Sequence, residues 1–421
     1  MSDSMPPPPP PEGPQLSNLF QFQGTINGKE VDINYQVEHT IDSNGNFFNY
    51  KLFKNKPIEG DEEKQQQQQQ PLTVLDHIPE HLKVSPTQDV LIIDSVNSGI
   101  GRENRDFFNV VMKPVLEDLQ VTGYKYLVTE NAQSVVNFAK SEIVKPNTTV
   151  VLFSGDTSVF EIINTVLANK EQSEKCQVNF VFVPLGTGNA NAYSAGFANE
   201  LVALTKLFAD KISHLPIYKA NLPTDATCKT QTINDHAFYF TVVVSWGIHS
   251  DIIIEADSPE LKPYGVHRFQ MAFQKIFQRP KIEYLSELYN ADKVFVSSGN
   301  NVYTTILALP LVESKYMISP ASEITENKLH LLNLPDQFSA DRQELAKVLF
   351  APYQQGAHVQ HPLVFYEDVG ELGVSLKFQQ DGEVNICVDG AIVNIPDAKG
   401  KEVKVEILED QSRFKFGVIG V

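Results

Sequence analysis

The sequence predicts an α/β protein of two domains, in which a parallel sheet with crossover helices precedes an antiparallel β-sandwich. Between residues 88 and 217, short apolar runs alternate with segments whose apolar residues recur at helical spacing, which is typical of a parallel sheet. From residue 218 to residue 421 short alternating strands dominate, interrupted by one helix near residues 267–277, and this pattern favours a sandwich. A chain of 421 residues is also too long for one ordinary core.

The first 75 residues differ in composition from the rest. Residues 1–16 contain six consecutive prolines, Pro6 to Pro11, which predict a disordered polyproline tail of the kind that proline-binding modules recognise. Residues 18–54 alternate apolar and polar side chains and carry two Asn-Gly pairs, so we expect a small antiparallel element. Residues 58–75 are acidic at first and include Gln65 to Gln70, which predicts a linker.

Charge and cysteine content exclude several classes of protein. The formal net charge is −18, which opposes binding to nucleic acid and non-specific binding to an anionic membrane. The three cysteines, Cys176, Cys228 and Cys387, lack the spacing of a disulfide framework or a zinc site. No apolar run approaches the length of a membrane-spanning helix. We therefore expect a cytoplasmic protein whose contact with membranes is peripheral and transient.

Three turns follow the apolar strands of the first domain. The strand that ends at Ile93 leads into residues 95–101, the strand that ends at Phe153 leads into a turn with Asp156, and a third strand leads into residues 184–189. Parallel strands place such turns at one edge of the sheet, where α/β proteins bind their ligands. Backbone amides of small-residue turns suit phosphate. Taken singly, Gly-Thr-Gly-Asn is only a turn, and Asp156 is only the N-cap of the next helix.

In this order, the two later turns resemble the catalytic domains of the diacylglycerol, sphingosine and ceramide kinases. Those domains carry Gly/Ser-Gly-Asp-Gly with a Glu five residues after the Asp, followed by Pro-x-Gly-Ser/Thr-Gly-Asn. Here Ser154-Gly-Asp156 keeps the first motif, Glu161 keeps the spacing, and Gly186-Thr-Gly-Asn189 matches the second motif. The resemblance implies a lipid kinase that uses ATP and Mg²⁺.

Further segments extend the resemblance over residues 88–421 and favour the sphingosine kinases. Ser98-Gly-Ile-Gly101 keeps the back half of the family's first turn, Asn-Pro-x-x-Gly-x-Gly. The segments 244–251, Val-Ser-Trp-Gly-Ile-His-Ser-Asp, and 264–269, Tyr-Gly-Val-His-Arg-Phe, are similar to segments of the sphingosine kinases. Asp389-Gly390 matches the start of a C-terminal Asp-Gly-Glu. A carboxylate at Asp251 suits the cationic amine of a sphingoid base better than the neutral head of diacylglycerol.

The resemblance implies a role for each matched residue. Asp156 would accept the proton of the lipid hydroxyl, with Glu161 as the second catalytic carboxylate. Asp156 and Asp389 would hold Mg²⁺, and Asp251 would bind the lipid head. The residues implied in nucleotide binding are Ser98, Gly99, Gly101, Thr129, Ser154, Gly155, Thr157, Gly186, Thr187, Gly188, Asn189, Lys262 and Arg268. Structural alternatives are that Arg268 pairs with a surface acid, that Asp251 ends a strand, and that Asp389-Gly390 is a hairpin turn.

Two positions depart from the family pattern. The glycine after the catalytic Asp is Thr157 here, and its Cβ would obstruct phosphate or strain the backbone if the position needs a positive φ. The terminal Asp-Gly-Glu ends in Ala391, which removes one carboxylate near the metal. The sequence therefore predicts a kinase that phosphorylates a sphingoid base or a related lipid. The alternative is a catalytically silent pseudokinase that binds lipid or nucleotide, or recruits partners.

Overall fold

The computed structural model describes residues 13–55, 72–169, 175–265, 267–290, 295–370, 373–408 and 414–421. Most of the predicted proline-rich tail (1–16) and of the predicted linker (58–75) lies outside these ranges. The described parts of both segments enter the first sheet, because strand β1 begins at Gln15 and Val74–Leu75 is strand β4. Within the described residues, no helix is long and apolar enough to cross a membrane.

The amino-terminal segment forms a four-stranded sheet that packs on the first domain. Its strands are β1 (Gln15–Ile26), β2 (Lys29–Ile41), β3 (Phe47–Lys54) and β4 (Val74–Leu75), in the order β3-β2-β1-β4. The turn between β1 and β2 uses Asn27 and Gly28, both at positive φ, as two-residue hairpin turns require. Phe20 is fully buried and its ring lies 5.1 Å from that of Phe208, so the sheet and the first domain share a core.

The first domain contains a six-stranded sheet flanked by helices. Its first four strands along the chain pair in parallel in the order β6-β5-β7-β8, so their carboxyl ends lie at one edge. Five of the six strands are β5 (Gln88–Asp94), β6 (Lys125–Val128), β7 (Asn147–Ser154), β8 (Cys176–Pro184) and β9 (Ile212–His214), and the sixth comes from the end of the chain. The helices are α1 (Lys113–Asp118, continuing a π-helical turn Phe108–Met112), α2 (Ser134–Glu142), α3 (Asp156–Leu167), α4 (Ala190–Ser194) and α5 (Glu200–Leu207). The confirmed α/β fold thus brings the three predicted turns to one edge.

In the described residues the second domain contains a twelve-stranded antiparallel sheet and a separate two-stranded hairpin. The strands are β10 (Tyr218–Asn221), β11 (Thr227–Cys228), β12 (Ala237–Phe240), β13 (Val243–Gly247), β14 (Leu285–Asn290), β15 (Phe295–Leu307), β16 (Leu311–Glu313), β17 (Tyr316–Met317), β18 (His330–Pro335), β19 (Phe365–Asp368), β20 (Val374–Phe378), β21 (Val384–Val388), β22 (Ala391–Ile395) and β23 (Glu402–Ile407). The long strand β15 connects two parts of the large sheet, because one half of it pairs with β14 and the other half pairs with β13 and β18.

Helices interrupt this domain more often than the sequence pattern predicts. In the described part of the domain they are α6 (Ile248–Ala256), α7 (His267–Phe277), α8 (Gln337–Ala340) and α9 (Arg342–Phe350), with 3-10 turns at Lys262–Tyr264, Ala351–Tyr353 and Ala357–Gln360. Only α7 was expected. The apolar, β-branched residues of α6 look like a strand in sequence, but the helix starts directly after Gly247, whose φ of 84° turns the chain out of the sheet.

The last strand corrects the predicted boundary of the second domain. Strand β24 (Phe414–Ile419) leaves the sandwich and pairs in parallel with β8 and antiparallel with β9. At Gly417 a Cβ would lie 2.5 Å from Oδ1 of Asn179 on β8, so the absent side chain allows this pairing. The predicted segment 218–421 therefore divides between both domains.

Helix α3 ties the two domains together. The side-chain amide of Asn164 donates to the backbone oxygen of Tyr239 at 2.7 Å, and the Tyr239 amide donates back to Oδ1 of Asn164 at 2.9 Å. Tyr239 lies on β12, a terminal strand of the large sheet, whose free edge the Asn side chain satisfies as a further strand would. Because α3 begins at Asp156, this contact fixes the predicted catalytic residue relative to the second domain.

Candidate active site

Three glycine turns converge at the carboxyl edge of the parallel sheet. A Cβ at Gly99 would lie 2.4 Å from the carbonyl oxygen of Leu185, and a Cβ at Gly155 would lie 2.3 Å from that of Gly188. A Cβ at Gly186 would lie 2.3 Å from Cα of Gly155. Real side chains never come so close to backbone atoms, so these positions must be glycine for the turns to meet.

The turn after β8 is closed by its own side chain and leaves amides available. Asn189 accepts from the Gly186 amide at 2.9 Å and donates from Nδ2 to the Gly186 oxygen at 2.9 Å. Among the described residues, the backbone amides of Thr187 and Gly188 donate to no protein acceptor. Backbone amides presented beside helix starts are suited to phosphate oxygens.

The Asp156 carboxylate is held by the helix that follows the third turn. Oδ1 accepts from both the backbone amide and Nδ2 of Asn191 at 2.9 Å, and Oδ2 accepts from the Ala190 amide at 2.7 Å. Burial raises the pKa of Asp156 above its usual value, and these three donors oppose the rise. The result is a fixed carboxylate of increased basicity, with a lone pair left on Oδ2.

A small cavity lies beside this carboxylate, between the strand ends and helices α3 and α4. Its lining comprises Leu152, Ser154, Gly155, Asp156, Val159, Phe182, Asn189, Asn191 and Ala192. The Ser154 hydroxyl bonds to that of Ser158 at 2.6 Å, whereas the buried Oδ1 of Asn191 has no partner among the described residues. The cavity is thus polar on the side of Asp156 and apolar on the other.

Asp389 reaches the same region from the second domain. Asp389 and Gly390, at φ of 45° and 86°, form the tight hairpin turn between β21 and β22. The Asp389 carboxylate accepts from the backbone amides of Thr241, Val242 and Val243 at 2.8–3.0 Å. Burial raises the pKa of Asp389 to about 7, and the charge of Asp156 adds to the rise. Since Thr241 directly follows β12, which Asn164 of α3 holds, the two carboxylates belong to adjoining elements on either side of the domain boundary.

This arrangement does not fit Asp156 and Asp389 as two direct ligands of a metal ion. Oδ1 of Asp389 accepts from the Val242 and Val243 amides. Oδ2 accepts from the Thr241 amide at 2.8 Å and more weakly from the Val242 amide at 3.3 Å and the Thr241 hydroxyl at 3.4 Å, and the residue is 5% exposed. Mg²⁺ requires oxygen ligands free to enter an octahedron, which leaves only Oδ2 of Asp156. The described ranges contain no group of three or more His, Cys, Asp or Glu side chains that could hold a metal. The use of Mg²⁺ stays a prediction.

Thr157 and Glu161 occupy different environments on helix α3. Thr157 is exposed in the first helical turn, and its φ is not positive. The predicted backbone strain at this residue is therefore wrong, since a helical position accepts any L-residue. Glu161 is 8% exposed and accepts from Gln231 of the second domain at 2.8 Å, and burial raises its pKa to about 7. Its predicted catalytic role stays a prediction.

The first turn is braced by an arginine that sequence reasoning missed. Arg102 donates from Nε to Asp94 at 2.9 Å and from its terminal nitrogens to the Ser95 and Phe153 oxygens at 3.0 Å each. It also reaches the Ser98 and Gly101 oxygens at 3.4 and 3.3 Å. The only sequence signal was a pair of opposite charges eight residues apart on either side of the turn.

Thr129 lies at the same edge. It is buried, and its backbone amide donates to the Asp94 oxygen at 2.9 Å. The Asp94 carboxylate also accepts from the Tyr126 hydroxyl at 3.0 Å. Thr129 is therefore fixed beside the braced turn, where a nucleotide contact stays a prediction.

The predicted residues of the second domain have protein partners. Asp251 on α6 pairs with Arg279 and accepts from the Tyr284 hydroxyl at 2.7 Å. Arg268 on α7 pairs with Asp257 at 3.4 Å, which is the structural alternative given above. Lys262 is exposed at the start of a 3-10 turn. In the described structure neither Arg268 nor Lys262 forms an ion pair with the glycine turns, so their nucleotide contacts stay predictions.

Comparisons with known proteins concern the first domain and the fold. Residues 89–219 match the model of the diacylglycerol kinase catalytic domain. A solved structure of a putative diacylglycerol kinase from Bacillus anthracis str. Sterne is similar over 79% of this chain and 98% of its own, with a TM-score of 0.53 and 14% identity. A second, of a diacylglycerol kinase from the same organism, has the same coverage, a TM-score of 0.51 and 15% identity. A search of curated proteins gave no significant match. Residues 89–219 thus resemble a diacylglycerol kinase catalytic domain, and the solved structures show that the chain shares their fold.

Proposed function

We propose that the protein is a lipid kinase that transfers the γ-phosphate of ATP to the primary hydroxyl of a sphingoid base. The observation that carries the proposal is the convergence of three glycine turns beside the half-buried, hydrogen-bonded carboxylate of Asp156. Phosphoryl transfer depends on positioning and on neutralising charge, with little covalent chemistry from the protein. The turns supply the first requirement through backbone amides.

Asp156 supports the proton transfer in this proposal. A general base must hold its proton acceptor within hydrogen-bond reach of the attacking hydroxyl. Three donors fix the carboxylate, and a lone pair on Oδ2 is left to receive the lipid hydroxyl. Burial raises the pKa of Asp156, which makes the carboxylate a stronger base than an exposed one.

The choice of a sphingoid base rests on Asp251. This carboxylate, itself 19% exposed, already pairs with a cation, Arg279, whose side chain is 42% exposed. Because Arg279 is partly exposed, its guanidinium can return to solvent when a lipid ammonium takes its place. The neutral head of diacylglycerol has no charge to offer Asp251. Since such lipids are membrane-derived, we also propose transient contact of this cytoplasmic protein with membrane surfaces.

A catalytically silent relative is the second candidate, and the hydrogen bonds of the two aspartates favour it. Asp156 accepts three donors as a helix cap would, and both oxygens of Asp389 are occupied by three backbone amides and the Thr241 hydroxyl. Ala391 supplies no further carboxylate. In this case the site would bind nucleotide without turnover.

A single assay separates the candidates. The purified protein is incubated with γ-labelled ATP and, in parallel, with a sphingoid base, a ceramide and a diacylglycerol in mixed micelles, and the lipid products are resolved. Label in the sphingoid base alone supports the proposal, and label in diacylglycerol alone contradicts the choice of substrate. Measurable ATP binding without transfer to any of the three lipids identifies a pseudokinase.

A further inference from the structure

The side chain of one tyrosine in the amino-terminal sheet is buried against the first domain. Tyr50 on β3 is 8% exposed, and its ring meets that of Phe107 edge-on at 5.2 Å. Its hydroxyl donates to the carboxylate of Glu200, the first residue of α5. Burial raises the pKa of both groups, the carboxyl and the phenol. The sheet thus provides a partner for a buried acid of the neighbouring domain.

Glu200 also pairs with a buried cation that the same sheet holds. The guanidinium of Arg105 lies 3.5 Å from Glu200, and the two side chains are 4% and 3% exposed. Nε of Arg105 donates to the Phe47 oxygen at 3.0 Å, and the guanidinium lies 5.4 Å from the centre of the Phe48 ring. A buried ion pair is stable only when its remaining hydrogen bonds are also made. Tyr50 and Phe47 make them from β3.

This cluster is connected to the first glycine turn by four residues of chain. The Asn49 amide donates to the Asn104 oxygen at 2.8 Å, and the Arg105 amide donates to the Arg102 oxygen at 2.9 Å. Arg102 in turn holds the carbonyl oxygens of the turn at Ser98 and Gly101. Arg105 and residues 98–101 are therefore joined by hydrogen bonds through Arg102.

The same cluster adjoins the third turn. Tyr193 lies on α4, directly after the Gly-Thr-Gly-Asn turn. Burial raises the pKa of Tyr193, while a hydrogen bond to Asn189 lowers it and the charges of Glu200 and Asp156 add to the rise. The Tyr193 amide donates to the Asn189 oxygen at 2.9 Å, and the Phe197 amide donates to the Ala192 oxygen at 2.8 Å. Helix α4 and the hydrogen-bonded bend after it therefore connect the turn that follows β8 with Glu200 at the start of α5.

We propose that Tyr50 is a positioning residue for the nucleotide site, which acts by holding the Arg105–Glu200 pair against two of the three glycine turns. The inference rests on the nucleotide binding proposed above. It gives a role to residues 15–54, which lie outside the segment that matches the kinase family model.

The same sheet offers a matched control. Tyr35 on β2 is fully buried, and its hydroxyl donates to Asp118 at 3.4 Å. Asp118 ends α1 and pairs with Lys54 of the sheet, and among the described residues it makes no contact with the glycine turns. Tyr35→Phe thus removes a hydroxyl–carboxylate bond between the same two units without affecting the proposed connection. A merely structural role predicts the same result for both tyrosines.

The test compares full-length Tyr50→Phe, Tyr35→Phe and wild-type protein. Titration with the non-hydrolysable analogue AMP-PNP should give a Kd raised roughly tenfold in Tyr50→Phe, because a buried acid loses one donor. The Kd of Tyr35→Phe should stay within about twofold of the wild-type value, because among the described residues Tyr35 shares no partner with the glycine turns and distant sites without shared partners act independently. Equal Kd values in the two variants overturn the proposal.

Amide hydrogen exchange tests the positioning role of Tyr50 even if the protein binds no nucleotide. In the ligand-free protein, Tyr50→Phe should accelerate amide exchange selectively over residues 98–107, and Tyr35→Phe should not. Uniform acceleration in both variants, or unchanged exchange over 98–107 in Tyr50→Phe, overturns the proposal. Failure of wild-type protein to bind AMP-PNP would instead contradict the proposed kinase function while this readout stands.

Discussion

The carboxylate of Asp156 accepts two hydrogen bonds of 2.9 Å from one residue, Asn191, through the backbone amide and the side-chain amide. Asp156 thereby caps helix α4, which follows a different strand of the sheet. The contact joins the turn after β7 to the turn after β8. It also stabilises the charged form of a carboxyl whose pKa burial raises.

Replacing Asn191 should therefore change the pH dependence of turnover. Asn191→Leu removes the side-chain donor and keeps the backbone donor, so the pKa of Asp156 should rise further. The acidic limb of the kcat profile should then move to higher pH. An unchanged acidic limb in a folded variant would show that Asp156 does not set it.

Glu161 should give the protein a pH-dependent stability. Its pKa is about 7 in the folded state against 4.5 as the ordinary value, so the unfolded chain releases this proton first. Between pH 4.5 and 7 the free energy of unfolding should fall as pH rises, by up to about 3 kcal/mol from this residue. When the free energy of unfolding is measured with denaturant at several pH values, it should fall less steeply with pH in Glu161→Gln than in wild type.

Glu142 provides the control for this measurement. Lys125 holds the pKa of Glu142 below its usual value, so its contribution is complete above pH 5 and is lost only as pH falls further. Glu142→Gln should leave the slope between pH 5 and 8 unchanged. A Glu161→Gln variant with the wild-type slope would show that this carboxyl is already ionised in the folded protein at pH 5.

Restoring the family glycine at Thr157 should not increase transfer. The residue is helical and its φ is not positive, so glycine relieves no strain. Thr157→Gly should be less stable than Thr157→Ala by up to about 1 kcal/mol, with similar transfer rates in both variants. A rise in transfer in both would indicate that the threonine side chain obstructs the phosphate. A rise in the glycine variant alone would indicate a backbone requirement.

Asp251→Asn tests the recognition of the lipid head. The variant should raise the KM for a sphingoid base far more than the KM for ATP. Of the two substrates, only the sphingoid base loses a charged partner on the protein. Asp257→Asn is the matched control, since Asp257 follows the same helix and pairs with a different arginine, Arg268. Equal effects on both substrates, or equal effects of both variants, would give Asp251 a structural role only.

The sequence was sufficient to predict features whose residues are neighbours along the chain. Each glycine turn directly follows an apolar strand, so the order of strands and turns predicted that Gly99, Gly155 and Gly186 share an edge. Asp389-Gly390 could be recognised as a hairpin turn for the same reason, because two residues at positive φ join two alternating strands.

The remaining features depend on partners far apart in sequence. The carboxylate of Asp389 binds amides near residue 242, Tyr50 binds Glu200, and β24 returns to pair with β8. Alternation or charge shows that each residue is buried or polar, but it does not show which distant group it meets. Arg102 and Asp94 are close in sequence, yet their pairing depends on the shape of the turn between them.

The most direct test of the account is Asp156→Asn, assayed beside wild type for transfer from labelled ATP to a sphingoid base and for AMP-PNP binding. The amide keeps an acceptor for Asn191 but opposes the Ala190 donor, so the variant should be less stable by about 1–3 kcal/mol. It should bind the analogue with a Kd near that of wild type, while kcat falls roughly 10²–10⁴-fold. Wild-type turnover in the folded variant would contradict the assignment of Asp156 as the catalytic base.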